Sequence, residues 1–284
     1  MPQIEVIIDA ENKPANLPTP EVIIEQCRIH SSAQRTAINT HGVRLILDDG
    51  IYYWVKFGRT ITMDEAQTQN YVAGVLNCNP DATVRVPCVY LAFQWGRFGY
   101  MVMEYIHGKM CDDSDADLVA AAVQSLIDIK SPTLEPGPVG GGIIHHPFFI
   151  DRTASIRYDS VKQLEDHING ILCKTKRSER VRFKPEVASY GLRLCPADLN
   201  TANFMKDEGD RIVALDFGAT CFLPPSFFAL VLYNGDTNLT QLIAKKVKYP
   251  ESTEVNAMLA ASFALVPFGT NEIGVPHELK SRSR

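Results

Sequence analysis

Residues 192–205 read Leu192-Arg193-Leu194-Cys195-Pro196-Ala197-Asp198-Leu199-Asn200-Thr201-Ala202-Asn203-Phe204-Met205, and residues 212–223 read Ile212-Val213-Ala214-Leu215-Asp216-Phe217-Gly218-Ala219-Thr220-Cys221-Phe222-Leu223. Leu192 to Leu194 has the makings of a short strand, and Pro196 interrupts its continuation because it has no N–H for a ladder. Asp198 then falls on a loop, where chemically active groups are commonly presented. Phe204-Met205 and Ile212 to Leu215 form the two strands of a hairpin around Asp207-Glu208-Gly209-Asp210. Such a hairpin sets Asn203 and Asp216 beside each other at one end. Three polar side chains thus converge. Phosphoryl transfer needs a carboxylate near the attacking hydroxyl, and an amide with a second carboxylate to hold Mg²⁺ against the phosphates. The structural alternative is that Asp198 and Asn203 cap turns and Asp216 opens a loop.

Upstream segments add two charges in a fitting order. Val43 to Leu47 and Ile51 to Phe57 are strand patterns joined by the turn Asp48-Asp49-Gly50. Lys56 sits near the end of the second. A helix follows, with Thr62 as N-cap and Glu65 three positions on, which is a capping box. A strand Lys followed by a helix Glu is also the arrangement that pins the α- and β-phosphates of a nucleotide. The chain holds neither Gly-x-Gly-x-x-Gly nor Gly-x-x-x-x-Gly-Lys-Ser/Thr here, and His41-Gly42 is the one candidate for a phosphate-covering turn. Val86 to Phe93 and Gly99 to Ile106 are further strands, and His107-Gly108 breaks the second. A nucleotide base fits against such an apolar strand end, bonded to backbone groups after Glu104.

The remainder is helical in pattern. Before the strands, Pro2, Pro14, Pro18 and Pro20 predict an extended arm over 1–20 with one strand at Ile4 to Ile8, then a helix from Glu21 to His30. Ser114 to Lys130 forms the clearest helix, with Ser114 and Asp117 as its capping pair. Tyr158 to Lys176 is amphipathic through Val161, Leu164, Ile168 and Leu172. Lys184 to Tyr190, Phe227 to Lys248 (broken at Asn234-Gly235-Asp236) and Ser252 to Leu265 complete the set. Gly140-Gly141-Gly142 and His145-His146 lie in a loop that reads as structural or substrate-facing, because adjacent side chains on extended backbone point to opposite faces.

Composition excludes several classes. The 284 residues are 45% hydrophobic and 21% charged with a net charge of -5, which offers nothing to a nucleic-acid backbone. Seven scattered cysteines without Cys-x-x-Cys spacing argue against a zinc site and a disulfide framework and suit free, buried thiols in a reducing compartment. No apolar run approaches the roughly 20 residues of a membrane span, and Met1-Pro2-Gln3-Ile4-Glu5 does not open a secretory signal. The basic tail Lys280 to Arg284 reads as solvated.

Taken together, Asp198 to Phe204 followed by Leu215-Asp216-Phe217-Gly218 resembles the aminoglycoside phosphotransferase family of small-molecule kinases. Val102-Met103-Glu104-Tyr105-Ile106-x-Gly108 is similar to the strand by which that family enters its nucleotide hinge, and Phe222 to Phe228 resembles fungal members. The likeness spans roughly Val43 to Phe228. It implies an α+β, two-lobed protein-kinase-like fold: a nucleotide-binding lobe over 1–105 with a small antiparallel sheet, and a mainly helical catalytic and substrate-binding lobe over 106–284. It implies ATP and Mg²⁺ as cofactors. Asp198 would orient the acceptor hydroxyl as base. Asn203 and Asp216 would be Mg²⁺ ligands. Lys56 would contact the α/β-phosphates with Glu65 as its partner, and Glu104 and Ile106 would bracket the base. The family's His-Gly-Asp is Pro196-Ala197-Asp198 here, and Asn200 stands where protein-serine/threonine kinases carry Lys. The expectation is therefore a cytoplasmic phosphotransferase acting on a hydroxyl of a small molecule, without nucleic-acid or membrane partners. The alternative is a pseudokinase or ligand-binding module with little turnover.

Overall fold

The computed structural model describes residues 2–33, 42–46, 50–235 and 237–280. The expectations that fall on His41, Leu47, Asp48-Asp49, Asp236 and the tail beyond Lys280 lie outside them.

The first hundred residues fold as β1 (Ile4–Asp9), α1 (Pro20–Ala33), β2 (Gly42–Ile46), β3 (Tyr52–Gly58), α2 (Met63–Asn77), β4 (Val84–Arg85), β5 (Val89–Trp95) and β6 (Phe98–Glu104). Five strands make one antiparallel sheet in the order β1-β5-β6-β3-β2. The proline-bounded arm is therefore tied down in its first half, because β1 pairs along β5 as the sheet edge. Alternation along the strands sends side chains to opposite faces. Tyr53, Val55, Phe93, Tyr100 and Val102 pack with Ile23 and Cys27 of α1 on one face. Ala92, Met101 and Met103 pack with Ala66 of α2 on the other. Lys56 follows Val55, so the pleat turns it toward α2.

The chain continues as β7 (Gly108–Met110), α3 (Ala116–Ile127), α4 (Val161–Lys174), α5 (Phe183–Tyr190), β8 (Arg193–Pro196), β9 (Phe204–Asp207), β10 (Ile212–Ala214), β11 (Thr220–Leu223), α6 (Pro225–Tyr233), α7 (Asn238–Ala244), α8 (Val255–Leu265) and α9 (His277–Lys280). The fold is thus α+β, with a small antiparallel sheet first and a mainly helical body after it. Two small sheets, β4-β10-β9-β7 and β11-β8, lie at the junction.

Three local expectations change. Gly108 starts a strand instead of only ending one. A Cβ there would stand 2.2 Å from the Lys206 carbonyl oxygen, so glycine is what lets β7 close on β9. The third helix begins at Ala116 after a 3₁₀ turn, with Asp112 and Asp115 forming the capping box in place of Ser114 and Asp117. Pro196 ends a strand opposite Thr220, tolerated because a two-stranded sheet has only edges. Cys27, Cys111, Cys195 and Cys221 are buried free thiols as expected, whereas Cys78 and Cys173 are exposed. Among the described residues no helix is long and apolar enough to cross a membrane.

The helical body buries two histidines. His146 Nδ1 accepts from the Phe148 N–H at 3.0 Å, so its Nε2 donates to the Phe227 carbonyl at 3.1 Å. His167 lies between the Tyr158 hydroxyl at 2.6 Å and the Ile273 carbonyl at 3.0 Å. Burial drives both below the ordinary imidazole range, His146 to about 3 and His167 to about 4. Their folded values lie beneath the unfolded one, so the stability they confer is complete above pH 6.5 and is lost as pH falls toward 4 and 3. Each histidine should contribute about 2 kcal/mol to the difference between denaturant titrations at pH 7 and pH 5, against an opposing contribution from Glu186, which burial raises to about 7. His167→Gln should remove that residue's share of the pH dependence, and a dependence unchanged in the variant would contradict the assignment.

Candidate active site

The end of β3 and the first turn of α2 supply a buried ion pair. Lys56 Nζ lies 2.5 Å from Glu65 Oε1 and 3.0 Å from Asp216 Oδ1. Glu65 is buried, Lys56 nearly so, and Asp216 half exposed. Thr62 accepts the Glu65 N–H at 3.1 Å, so it caps the helix as expected. The Glu65 carboxylate turns to Lys56 instead of back to the Thr62 N–H, so the expected capping box is only half formed. Burial opposes the Lys56 charge, but the two carboxylates outweigh it and hold the ammonium above its ordinary value. Burial raises Glu65, Lys56 opposes that, and the Asp216 charge adds to it.

The hairpin formed by β9 and β10 does what its spacing predicts. The Leu215 N–H donates to the Asn203 carbonyl at 2.8 Å, which sets Asn203 and Asp216 at the same end. Asp216 has a left-handed backbone, φ +55°, and its Oδ1 accepts from the Gly218 N–H at 3.2 Å. Asn203 Nδ2 donates to the Asp198 carbonyl at 2.8 Å and to its Oδ2 at 3.2 Å. The loop between them is thereby closed by its own amide. Support also comes from outside the loop: the Ala197 N–H donates to the Ala219 carbonyl at 2.9 Å, and the Thr240 hydroxyl donates to the Leu199 carbonyl at 3.0 Å. Ala197 is buried in the core of the helical body. Asn200 Oδ1, in the same loop, is a buried acceptor with no hydrogen-bond partner among the described residues.

These groups form one wall of a cleft of about 460 Å³. Lys56, Asn203 and Asp216 stand on its polar side, and Trp54, Met103, Ile106, Met205 and Leu215 line the rest. Asp198 lies in an adjoining depression that shares Asn203 and Asp216 with the cleft. Glu104 also lines the cleft, but its carboxylate is engaged: Arg85 Nη1 donates to it at 2.8 Å and the Cys88 N–H at 3.3 Å. What Glu104 can offer a flat ligand is therefore its backbone, beside Tyr105 and Ile106, which also line the cleft. Of the seven residues singled out in the sequence, Lys56, Glu104, Ile106, Asn203 and Asp216 line the cleft, Glu65 stands behind Lys56 as its ion-pair partner, and Asp198 lies beside the cleft.

The glycine triplet packs against α2. The Val139 N–H donates to the buried Thr68 hydroxyl at 2.9 Å, and a Cβ on Gly140 would meet Gln67 Oε1 at 2.0 Å. His145 bonds Thr153 at 3.2 Å while His146 is sealed in the core. Among the described residues no three His, Cys, Asp or Glu side chains converge as metal ligands. A cation in the cleft would rest on Asp216 and the Asn203 amide oxygen, since the amide nitrogen is taken by Asp198. Oxygen donors few in number suit Mg²⁺, which keeps waters and ligand phosphates in its shell.

One residue was missed. Arg152 Nη1 donates to Asp198 Oδ1 at 3.2 Å. It sits in a 3₁₀ turn (Ile150–Arg152) where Asp151 and Arg152 both have left-handed backbone, φ +53° and +56°. Two consecutive non-glycine residues in that region cost about 1 kcal/mol or more each. No spacing or periodicity marks this turn in the sequence.

No protein-family model matches the chain, and no curated protein matches it. Solved structures do. The chain is similar to the choline kinase LicA from Streptococcus pneumoniae, at 15% identity and TM-score 0.45, over 93% of this chain and 98% of that one. It is similar to the macrolide 2'-phosphotransferase MphH from Brachybacterium faecium, at 9% identity and TM-score 0.46, over 91% and 96%. It is also similar to the aminoglycoside phosphotransferase APH(4)-Ia, at 14% identity and TM-score 0.48, over 86% and 89%. None of the three bears on the fungal likeness of residues 222–228.

Proposed function

We propose that the protein is an ATP- and Mg²⁺-dependent phosphotransferase acting on a hydroxyl of a small molecule, of the aminoglycoside phosphotransferase type. The observation that carries this reading is the joint placement of Lys56, Glu65 and Asp216 in one ion-paired group beside Asn203 and Asp198. We take residues 1–105 as the nucleotide-binding lobe and 106–284 as the lobe that binds the acceptor.

Each residue then has a physical task. Lys56 carries a full positive charge, aimed by Glu65, to meet the α/β-phosphates. Asp216 and Asn203 would hold Mg²⁺, whose charge, when bound, neutralises the negative charge building on the transferring phosphoryl group. Asp198 accepts a hydrogen bond from the acceptor hydroxyl and takes its proton as the new bond forms. Its position is held by the Asn203 amide. The apolar side of the cleft, with Met103 and Ile106, would take the base by burial, while backbone groups after Glu104 read its edge. Rate would come mainly from positioning and charge stabilisation.

Calorimetry with Mg·ATP, followed by a screen of hydroxylated metabolites with labelled ATP, tests this. Saturable Mg·ATP binding and transfer of label to a small acceptor are expected. Failure to bind Mg·ATP would remove the reading. A second reading, a nucleotide-binding module with little transfer, is favoured by the Arg152–Asp198 pair, which occupies the base, and by Pro196-Ala197 in place of His-Gly. Binding without label transfer to any acceptor is its signature.

A further inference from the structure

Arg152 is an exposed arginine held with unusual care. Its side chain is 59% exposed, and Asp198 is its ion-pair partner at 3.2 Å. A free surface arginine needs no fixed backbone. This one sits on a turn whose left-handed conformation is over-determined by buried groups. Asn271 Oδ1 accepts from the Ile150 N–H at 2.9 Å, and its Nδ2 donates to the Ile150 carbonyl at 3.0 Å and the Thr153 carbonyl at 2.8 Å. The His146 N–H donates to the Arg152 carbonyl at 2.9 Å. Asn271 and His146 are both buried. Strain that survives because its surroundings enforce it points to use of the residue it presents.

We propose that Arg152 recognises the acceptor, and that the acceptor carries an oxyanion, a carboxylate or phosphate, next to the hydroxyl that faces Asp198. This deepens the phosphotransferase reading and rests on it. The guanidinium spends one N–H on Asp198 Oδ1 and has further donors in a fork that matches two oxygens of a carboxylate or phosphate. An anion arriving there draws Arg152 off Asp198 and leaves Oδ1 to accept the hydroxyl. A cationic acceptor would meet a guanidinium at the point of reaction. A neutral polyol would leave the Arg152–Asp198 pair intact and the oxygen occupied. Charge at position 152 thus selects among acceptors that all present a hydroxyl.

The test uses the full chain saturated with Mg²⁺ and a non-hydrolysable ATP analogue. Glycerate, glycerol phosphate and gluconate are titrated calorimetrically against glycerol and sorbitol as neutral counterparts. At least one anion should bind about tenfold or more tighter than its counterpart. Arg152→Ala should abolish that preference and Arg152→Lys restore part of it, with Mg·nucleotide affinity unchanged in both as the check on folding. No anion preference in the unaltered protein, or a preference that survives Arg152→Ala, overturns the proposal. Labelled ATP separates it from the reading beneath it. Arg152-dependent anion binding without label transfer removes the phosphotransferase function and leaves the Arg152 site standing. Transfer to a neutral or cationic acceptor whose KM is unmoved by Arg152→Ala removes the Arg152 assignment and leaves the phosphotransferase. With an anionic acceptor, KM should rise in Arg152→Ala far more than kcat falls.

Discussion

Asp198→Asn should lower kcat for phosphoryl transfer by about 10³–10⁴ while Mg·ATP binds within about twofold of the unaltered affinity. The reasoning is geometric. Asp198 stands in the depression beside the cleft, and the proposed cation-holding groups, Asn203 and Asp216, belong to both. The asparagine side chain keeps the shape of the carboxylate, and the Asn203 amide still has the residue 198 carbonyl as its acceptor. The loop therefore stays closed. What disappears is the proton acceptor and the ion pair with Arg152. Steady-state kinetics on the identified acceptor together with nucleotide calorimetry would read this. Unchanged turnover would remove Asp198 from the chemistry, and lost nucleotide binding would place it in the cation shell instead.

Lys56→Met should act on stability and on nucleotide binding together. Methionine keeps the length of the side chain and removes the charge that two carboxylates share. Glu65 is then a buried carboxylate without its cation, a situation that costs about 3–5 kcal/mol. Asp216 is half exposed and water screens it, so most of the loss belongs to Glu65. The variant should also respond to pH in a defined direction. Burial alone would raise Glu65 in the folded state above its unfolded value, so protonation favours the fold. Stability of Lys56→Met should rise as pH is lowered toward the unfolded carboxylate range near 4.5 and fall as pH climbs through the raised folded value. Adding Glu65→Gln, which cannot ionise, should recover much of the lost stability at neutral pH and none of the Mg·ATP affinity. Chemical denaturation of the single and double variants measures the first part, calorimetry the second.

Local spacing made most of this site legible. Asn203 and Asp216 flank a hairpin whose register is set by alternation and turn chemistry, so their adjacency follows from the order of residues alone. Lys56 and Glu65, nine residues apart on a strand and the capped helix after it, were legible for the same reason. Arg152 was not. It reaches Asp198 across 46 positions of chain through a turn held by Asn271, and such long-range support leaves no period in the sequence. The 3₁₀ start of α3 was not legible from the Ser114–Asp117 pattern, because tertiary contacts favour the neighbouring Asp112–Asp115 box: Asp115 also takes Lys206 at 2.6 Å. Strand β7 was hidden because a glycine that breaks one strand locally can be the residue that admits the next at close range.

The left-handed residues 151, 152 and 216 have a consequence for how such a protein would change under selection. Asp tolerates that conformation fairly well because its short side chain can bond locally, and arginine does not. Glycine at 152 would relax the turn and leave its Asn271 and His146 bonds in place, since those run to backbone groups of 150, 152 and 153. Laboratory evolution toward heat resistance, run without an activity screen, would therefore drift to glycine at 152 and silently discard the acceptor recognition proposed for Arg152. On that proposal, position 152 becomes the place where thermal robustness and substrate choice compete for one residue.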